Sequence, residues 1–528
     1  MLDIKKKAEQ YFKVQIDPDI SCLTGNDKKV IKLLIKATDE MTKIYLRQMQ
    51  ENNLQWLKEL EEGKIGNKDI LHFFKINNGP YDEFREHEKF LEQAPDYFKG
   101  ANYYPQDMTK EEFEAWLEAH PEDKEAFTSE FSVIRRDGDK LISVPYSVCF
   151  KEQIDKASAY LKEAAEYADN ASLKDFLVKR SADLLNDNYY DSDVAWMKLE
   201  NNLVEPTCGP YEVYSDYLFS YKAAFESFIT IKDQVASDKL DRFKEYLEEL
   251  DNSLPLDPKY KTRKRPQDAP MVVVNLLYAG GEANNCGKAI AFNLPNDEKV
   301  RSELGGKKTM MKNVMEAKAN AILKPIGQAI LSESEQEFID GEMFFYRVLF
   351  HEIGHSMGPG IMLNEKGEEI SVYKSLKELH NTMEEAKADL FAFFAMDWCI
   401  NKGLFDESCR QSLWITNIPD LIRTVRKGVN EAHGASNLMQ FNYFKENGAL
   451  IYDEEKKKYT VDLSKAFEVS KNALAEILDL QASCDYDKTK EFIAKYTEKD
   501  PHLFEMIDSL QDIPMDIEYE FVGVGKLG

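Results

Sequence analysis

Apolar residues recur at three- and four-residue steps along much of the chain, with charged residues between them. The pattern is clearest over residues 30–56, 154–185 and 466–480. This spacing brings the apolar side chains to one face of an α-helix. We therefore predict an amphipathic, core-facing helix in each of the three segments.

Strand-forming stretches are few. Residues 131–134 and 141–145 flank Arg136-Asp137-Gly138-Asp139, which has the composition of a hairpin turn. Residues 271–278 and 517–524 are apolar runs rich in β-branched side chains. We expect these strands to meet in one small sheet or barrel. The predicted fold class is α+β, mainly α with a small β-sheet or barrel.

The length and charge of the chain restrict its class. Its 528 residues exceed what one hydrophobic core normally supports, so two or more lobes are expected. A formal net charge of −27 argues against nucleic-acid and anionic-membrane partners, which attract basic surfaces. Proline-containing residues 252–258 and the basic residues 259–270 have the composition of an exposed connection.

Compartment is indicated by the cysteines and by the lack of targeting signals. The seven cysteines are odd in number and contain no C-x-x-C pair, so we predict free thiols. The N-terminus lacks an apolar core segment, and no apolar run approaches twenty residues. We expect a cytoplasmic protein, while an export signal removed before this sequence begins would leave no trace.

The strongest chemical signal is the H-E-x-x-H box from His351 to His355, which follows an apolar run at residues 344–350. On a helix its histidines lie on one face and can bind one zinc ion, with Glu352 beside a metal-bound water. Only eight histidines occur in the chain, so a chance box is roughly a one-in-a-hundred event. Two solvated histidines are the alternative, but the preceding run is too apolar for a fully exposed helix.

A catalytic zinc usually takes three protein ligands, so a third should follow the box. Glu385 and Asp389 are four residues apart, so on a helix one can bind zinc while the other holds a ligand histidine. Glu384 points about a quarter-turn away. The alternative is a capping box, with Thr382 at the N-cap and Glu385 at N3. The need for a third ligand favours the first interpretation.

The box and the E-E-x-x-A-D sequence at 384–389 resemble the dipeptidyl peptidase III family of zinc metallopeptidases (family M49), especially its shorter bacterial branch. The resemblance covers most of the chain and rests on the order of its pieces. These are residues 100–113, 133–137, 145–146, 209–214, 292–296 and 431–434. Typical members carry a six-residue box, whereas this chain has five residues, a spacing that a regular helix accommodates.

For the metal centre, the resemblance implies one Zn²⁺ per chain bound by His351, His355 and Glu385. It implies that Glu352 is the general base. The second-shell candidates beside these ligands are Glu384 and Asp389.

For the substrate, the resemblance implies that His433 and Tyr214 stabilise the transition state. A tetrahedral oxyanion needs hydrogen-bond donors, which histidine and tyrosine provide. Glu212, Asn293 and Asn296 would hold the N-terminal end and backbone of the peptide, and a carboxylate suits the ammonium group. Without the resemblance, His433 would be interpreted as a surface histidine and Tyr214 as a core tyrosine.

The family plan also implies two lobes across a wide cleft, which would close during catalysis. The mixed α/β lobe would comprise residues 1–230, 268–322 and a returning strand at 511–528. Residues 231–267 would form a crossing segment and linker. Residues 323–510 would form the helical zinc-binding lobe.

The function predicted from these features is zinc-dependent hydrolysis of peptide bonds near a free N-terminus, most simply with release of dipeptides. One alternative is a zinc aminopeptidase or other amide hydrolase, which the five-residue box favours. Another is a catalytically weak, peptide-binding homologue. Peptides are the expected partners, and the protein would be a monomer or homodimer.

Overall fold

The computed structural model describes residues 4–257, 260, 270–363, 367, 369–430 and 432–528. Most of the predicted basic connection, and Glu431, lie outside these residues. The chain divides into two compact units. Unit 1 comprises Met1–Ser237, Asp268–Val314 and Asp516–Gly528, and unit 2 comprises Asp238–Gln267 and Met315–Met515.

Unit 1 combines helices with a five-stranded sheet. Its helices are α1 Ile4–Ala8, α2 Gly25–Met49, α3 Asn53–Glu61, α4 Lys68–Asn77, α5 Lys110–Ala119, α6 Lys124–Thr128, α7 Tyr146–Cys149, α8 Lys151–Tyr167, α9 Ala171–Asp183, α10 Tyr190–Met197 and α13 Glu298–Leu304. Its strands are β1 Tyr11–Gln15, β2 Tyr81–Asp82, β3 Glu88–Lys89, β4 Ser132–Asp137, β5 Lys140–Pro145, β6 Val204–Glu212, β7 Ala224–Lys232, β8 Met271–Gly281, β9 Ala291–Leu294, β10 Lys307–Met311 and β15 Asp516–Glu520.

The sheet has the strand order β6-β7-β8-β10-β9 and is mixed. Strands β8 and β10 pair in parallel, whereas the other neighbours are antiparallel. Helix α2 packs against β7, β8 and α8 and is buried along its length. Its start is fixed by a capping box between Thr24 and Asp27.

Unit 2 is almost entirely helical. Its helices are α12 Leu247–Ser253, α15 Lys324–Ile330, α16 Gly341–Gly354, α17 Val372–Leu376, α18 His380–Asn401, α19 Cys409–Val425, α20 Ala432–Glu446, α21 Leu463–Ser483, α22 Tyr486–Tyr496 and α23 Pro501–Ser509. Its strands form two hairpins, β11 Ile361–Leu363 with β12 Glu369–Ser371, and β13 Leu450–Asp453 with β14 Lys458–Val461. Helices α11 Gln234–Lys244 and α14 Lys312–Lys318 span the boundaries between units.

The predicted α+β class, mainly helical with small sheets, is confirmed. The segment 466–480 lies inside one helix, α21, as expected. The other two predicted helices are each broken in two: α2 ends before Gln50, and α8 ends before Ala168, where both residues adopt extended backbone. Apolar periodicity continues across these breaks because each following helix also buries an apolar face: α9 packs in the same core as α8, whereas α3 packs with the end of α2 in a smaller cluster.

The expectation that the strands meet in one sheet is wrong. Strands β4 and β5 form the predicted hairpin, closed by a turn in which Gly138 has φ +60°, but they pair only with each other among the described residues. Strand β15 pairs in parallel with β1. Of the predicted strands, only β8 belongs to the five-stranded sheet.

All seven cysteines are unpaired thiols, as predicted. Among the helices of the described residues, none combines the length and the apolar character that crossing a bilayer requires.

Candidate metal centre

The box lies at the end of α16, where this helix packs closely against α18. A Cβ atom placed on Gly354 would come 2.9 Å from Ala388 Cα and 3.1 Å from Ala388 O. Such contacts are too short, so a side chain at this position would push the two helices apart. The glycine inside the box therefore allows the approach that brings Glu385 of α18 to the histidines of α16.

Three side chains converge at this helix pair. His351 Nε2 lies 3.2 Å from His355 Nε2 and 3.4 Å from Glu385 Oε2. His355 Nε2 lies 4.0 Å from the same carboxylate oxygen. One ligand atom from each residue thus falls within 4.8 Å of the others. Two imidazole nitrogens and a carboxylate oxygen form a donor set typical of zinc sites.

Glu385 Oε2 gives an independent test of the fit to a metal. This atom is buried and accepts no hydrogen bond among the described residues. A buried carboxylate oxygen without a partner is costly unless a cation compensates it. The residues therefore fit a zinc ion, which would satisfy Glu385 and the two Nε2 atoms together.

The other ring nitrogen of each histidine faces a second carboxylate. His351 Nδ1 lies 2.7 Å from Asp389 Oδ1, and His355 Nδ1 lies 3.2 Å from Glu384 Oε1. Because an ionised carboxylate can only accept, Nδ1–H donates in both pairs and the Nε2 lone pairs point to the common centre. This tautomer is the one that a metal ligand requires.

Both outer carboxylates are held ionised by neighbouring cations. Burial acts to raise the pKa of Asp389, but Arg347 and His351 outweigh it and hold this pKa below its usual range. Burial also opposes ionisation of Glu384, yet Lys387 and the hydrogen-bonded histidine lower its pKa to about 2. The two carboxylates are therefore acceptors at neutral pH.

The capping-box alternative for Thr382 and Glu385 is wrong. Helix α18 begins at His380, so Thr382 lies inside the helix and cannot be its N-cap. The Glu385 carboxylate therefore does not cap the helix, and it lies beside the histidines.

Two further predicted residues flank these three side chains. Glu352 follows His351 on α16 and is partly exposed. His433, near the start of α20, has an exposed side chain, and its Nε2 atom lies 3.2 Å from Glu385 Oε2. Asn437, one turn later, donates to Asp389 Oδ2 at 3.1 Å and to the carbonyl of His433 at 2.9 Å. Unit 2 thus brings the box, Glu385 and His433 together.

The predicted substrate residues lie in unit 1. Glu212 ends β6 and accepts a 3.2 Å hydrogen bond from Asn296 Nδ2, which also donates to the carbonyl of Tyr211 at 2.9 Å. Tyr214 is 70% exposed, and its hydroxyl acts to lower the pKa of Glu212, which burial raises. Asn293 lies on the edge strand β9, with a buried Oδ1 that accepts no hydrogen bond among the described residues. Unit 1 brings Glu212, Tyr214 and Asn296 together.

Sequence reasoning missed two acidic neighbours of Glu212. Glu226 is buried on β7, where burial and the charges of Glu212 and Glu282 raise its pKa well above the usual value. Burial, with smaller contributions from Glu83 and Glu212, raises the pKa of Glu282 to about 8 against the effect of a hydrogen bond from Ser215. Unit 1 thus gathers carboxyl groups with raised pKa values around its predicted substrate residue Glu212.

The raised pKa of Glu282 predicts a stability that falls as pH rises. The folded protein retains this proton up to about pH 8, whereas the unfolded chain loses it near 4.5, the usual pKa of a glutamate. The folded state therefore binds more protons in this window, and stability falls across it. We expect Glu282→Gln to have a free energy of unfolding on the order of 2 kcal/mol above that of the parent at pH 8.5. At pH 4.5 the difference should be small.

Denaturant unfolding at the two pH values checks this expectation. Exposed Glu122 provides the control, since Glu122→Gln should change stability alike at both. An equal effect of Glu282→Gln at pH 4.5 and 8.5 would contradict the assignment.

Sequence reasoning also missed Arg347 and Lys387. Both side chains are buried. Lys387 lies among Glu384, Glu385 and Asp389, whereas Arg347 interrupts the apolar run 344–350, one turn before His351. A charge in such a run indicates a buried partner, but the partner itself cannot be read from the run.

The helical unit and its set of two histidines and one glutamate are typical of a class of enzyme, the zinc metallopeptidases. Comparison with known proteins then gives the family. Residues 106–391 match Peptidase family M49. The chain therefore belongs to peptidase family M49.

Individual relatives are similar to this protein over almost its whole length. A solved structure of DPP III from Caldithrix abyssi is 40% identical, with a TM-score of 0.96, and covers 99% of this chain and 100% of that one. Dipeptidyl-peptidase III from Corallococcus sp. strain EGB is 34% identical, with a TM-score of 0.84, and covers 99% and 98%. An Arabidopsis thaliana protein named Nudix hydrolase 3 is 33% identical, over 98% of this chain and 74% of its own length.

Proposed function

We propose that this protein is a zinc-dependent exopeptidase that releases dipeptides from the free N-terminus of peptides. The observation that carries the proposal is the convergence of His351, His355 and Glu385 on one point, with the Glu385 oxygen left without a hydrogen bond. Similarity to two structures titled dipeptidyl-peptidase III supports dipeptide release.

The reaction follows from the residues around that point. The two Nε2 atoms and Glu385 would hold a zinc ion, which would supply Lewis acidity toward the scissile carbonyl and toward water. Glu352, which is outside the ligand set, accepts a proton from the attacking water and delivers it to the leaving amine. His433 donates a hydrogen bond to the oxyanion. The role of Tyr214 as a second donor stays a prediction.

The N-terminal ammonium of the peptide is assigned to Glu212. Its carboxylate is already oriented by the hydrogen bond from Asn296, so little ordering is needed on binding. Glu226 and Glu282 lie nearby as largely protonated carboxyl groups, and an approaching cationic group would favour their ionised forms. The unpartnered Oδ1 of Asn293 can accept a hydrogen bond from the peptide backbone.

Glu212→Gln should raise KM for dipeptidyl amides and leave kcat nearly unchanged. Glutamine keeps the hydrogen bonds but removes the charge that pairs with the ammonium. Hydrogen bonds to charged groups contribute about 1.5–3 kcal/mol, so the loss in kcat/KM should be about 10–100-fold. Steady-state kinetics with a dipeptidyl amide measures both constants.

A substrate with an acetylated N-terminus makes the test specific. Acetylation removes the positive partner of the same charge pair. It should therefore lower kcat/KM of the parent enzyme strongly, and lower that of Glu212→Gln almost not at all. Additive losses would contradict the pairing. Exposed Glu122, also in unit 1, provides the control substitution Glu122→Gln.

The proposed function as a whole is tested by mass spectrometry of products from a peptide library, with and without a chelator. Release of intact dipeptides that stops on chelation is expected. Release of single residues would select an aminopeptidase instead. Stoichiometric zinc without any product over hours would identify a peptide-binding homologue.

A further inference from the structure

Arg347 is linked to one histidine of the metal centre through Asp389. The guanidinium Nη2 atom lies 2.9 Å from Asp389 Oδ1, the oxygen that accepts from His351 Nδ1. Its Nη1 atom pairs with Asp420 of α19. The arginine and both carboxylates are at most 6% exposed. The orientation of His351 therefore depends on a buried carboxylate that Arg347 holds in place.

Lys387 occupies the corresponding place beside the second histidine. Its Nζ atom lies 2.7 Å from Glu384 Oε1, the oxygen that faces His355 Nδ1 at 3.2 Å. The same Nζ atom donates to the carbonyl of Met357 at 2.6 Å, and the lysine side chain is 4% exposed. Each histidine thus contacts a carboxylate through Nδ1, and each of these carboxylates contacts a buried cation.

The remaining contacts of the two carboxylates come from neutral amides. Asp389 Oδ2 accepts from Asn437 and from Gln440, and Glu384 Oε2 accepts from Gln481 at 3.1 Å. Removal of either cation would therefore leave a buried carboxylate with only neutral amides and its histidine as partners. Such a carboxylate would lose the contact that fixes its position, and the hydrogen bond that orients its histidine would be weakened with it.

We propose that Arg347 and Lys387 are positioning residues of the metal centre, which set its zinc affinity by fixing the carboxylates that orient the two histidines. This inference rests on the proposed zinc site. It assigns the two cations an effect on metal binding beyond their contribution to the stability of unit 2.

A purely structural role is the competing explanation, and Arg423 provides the matched control. Its guanidinium pairs with Asp420 Oδ1 at 2.7–2.8 Å, so it belongs to the same charged cluster as Arg347. Among the described residues, Arg423 also lies over the Phe344 ring but forms no ion pair with Asp389. Loss of Arg423 should therefore perturb the fold without disturbing the orientation of His351.

The test measures zinc affinity of the purified full-length protein by competition with a chromophoric chelator, together with the melting temperature of the zinc-free protein. Outer partners of metal ligands typically contribute 10–100-fold to affinity, so Arg347→Gln and Lys387→Gln should each weaken zinc binding by about that factor. The zinc affinity of Arg423→Gln should stay within about twofold of that of the parent, the small change expected for a substitution that does not reach the metal centre. The two losses should multiply in the double variant, because the cations act on different histidines.

Arg347→Lys keeps the positive charge and should recover part of the affinity, which also provides a variant if Arg347→Gln fails to fold. Equal zinc affinities for the parent and both glutamine variants would overturn the proposal. So would a loss in Arg423→Gln as large as that in Arg347→Gln at a similar melting temperature. Failure of the parent to bind zinc would instead refute the metal centre itself, so the two outcomes are distinguishable.

Discussion

Replacing Glu352 by glutamine should lower kcat for dipeptidyl amides by about 10³–10⁴-fold, at the upper end of what a general base contributes. Glutamine has the same size but cannot take the proton from water. Glu352 lies outside the set of converging ligand atoms, so zinc content should stay at that of the parent. Steady-state kinetics and metal analysis of the same preparation measure the two quantities.

Two variants make this result specific. Glu352→Asp keeps a base but withdraws it by about an angstrom, and displacements of that size cost on the order of a hundredfold. Its kcat should therefore lie between those of the parent and Glu352→Gln. Glu342 is exposed in the first turn of the same helix, and Glu342→Gln should have parent activity. Substantial turnover by Glu352→Gln, or loss of its zinc, would refute the role of general base.

The convergence of the metal centre was accessible to sequence reasoning because it depends mostly on local spacing. His351 and His355 are four residues apart, as are Glu385 and Asp389, so two regular helices place each pair on one face. The sequence does not show that the two helices touch. That contact depends on Gly354, whose role becomes apparent only when Ala388 is found against it.

The ion pairs of Arg347 could not be predicted, because its partners are remote in sequence, whereas Lys387 pairs with Glu384 only three residues away. Arg347 and Asp420 are 73 residues apart and meet only when α16 packs against α19. Periodicity identifies the buried face of each helix but does not specify its neighbour. A charged residue on such a face predicts that a partner exists, without identifying it.

The prediction that the strands meet in one sheet was wrong for a related reason. The segments that became β4, β8 and β15 were all recognised as strand-forming, yet they lie in three different sheets. Strand propensity describes how a segment fits a pleated surface and contains no information about its partner. The parallel pairing of β15 with β1 joins opposite ends of the chain, which no local pattern encodes.

Glu385→Gln should have the largest effect on metal binding. The substitution replaces a charged ligand oxygen by a neutral amide at the atom that lacks a hydrogen bond in the buried centre. Loss of a direct ligand should exceed the 10–100-fold typical of outer partners, so zinc affinity should fall by more than about a hundredfold. Competition with a chromophoric chelator measures the affinity, and turnover measured without added zinc should be lost with it.

Comparison with Glu352→Gln separates the two glutamates. Excess zinc should restore part of the turnover of Glu385→Gln, because its general base is intact, but should restore none in Glu352→Gln. The reason is that zinc binding follows mass action, whereas a missing base cannot be replaced by more metal. Parent-like zinc affinity in Glu385→Gln would remove Glu385 from the ligand set and leave the two histidines without their proposed third partner.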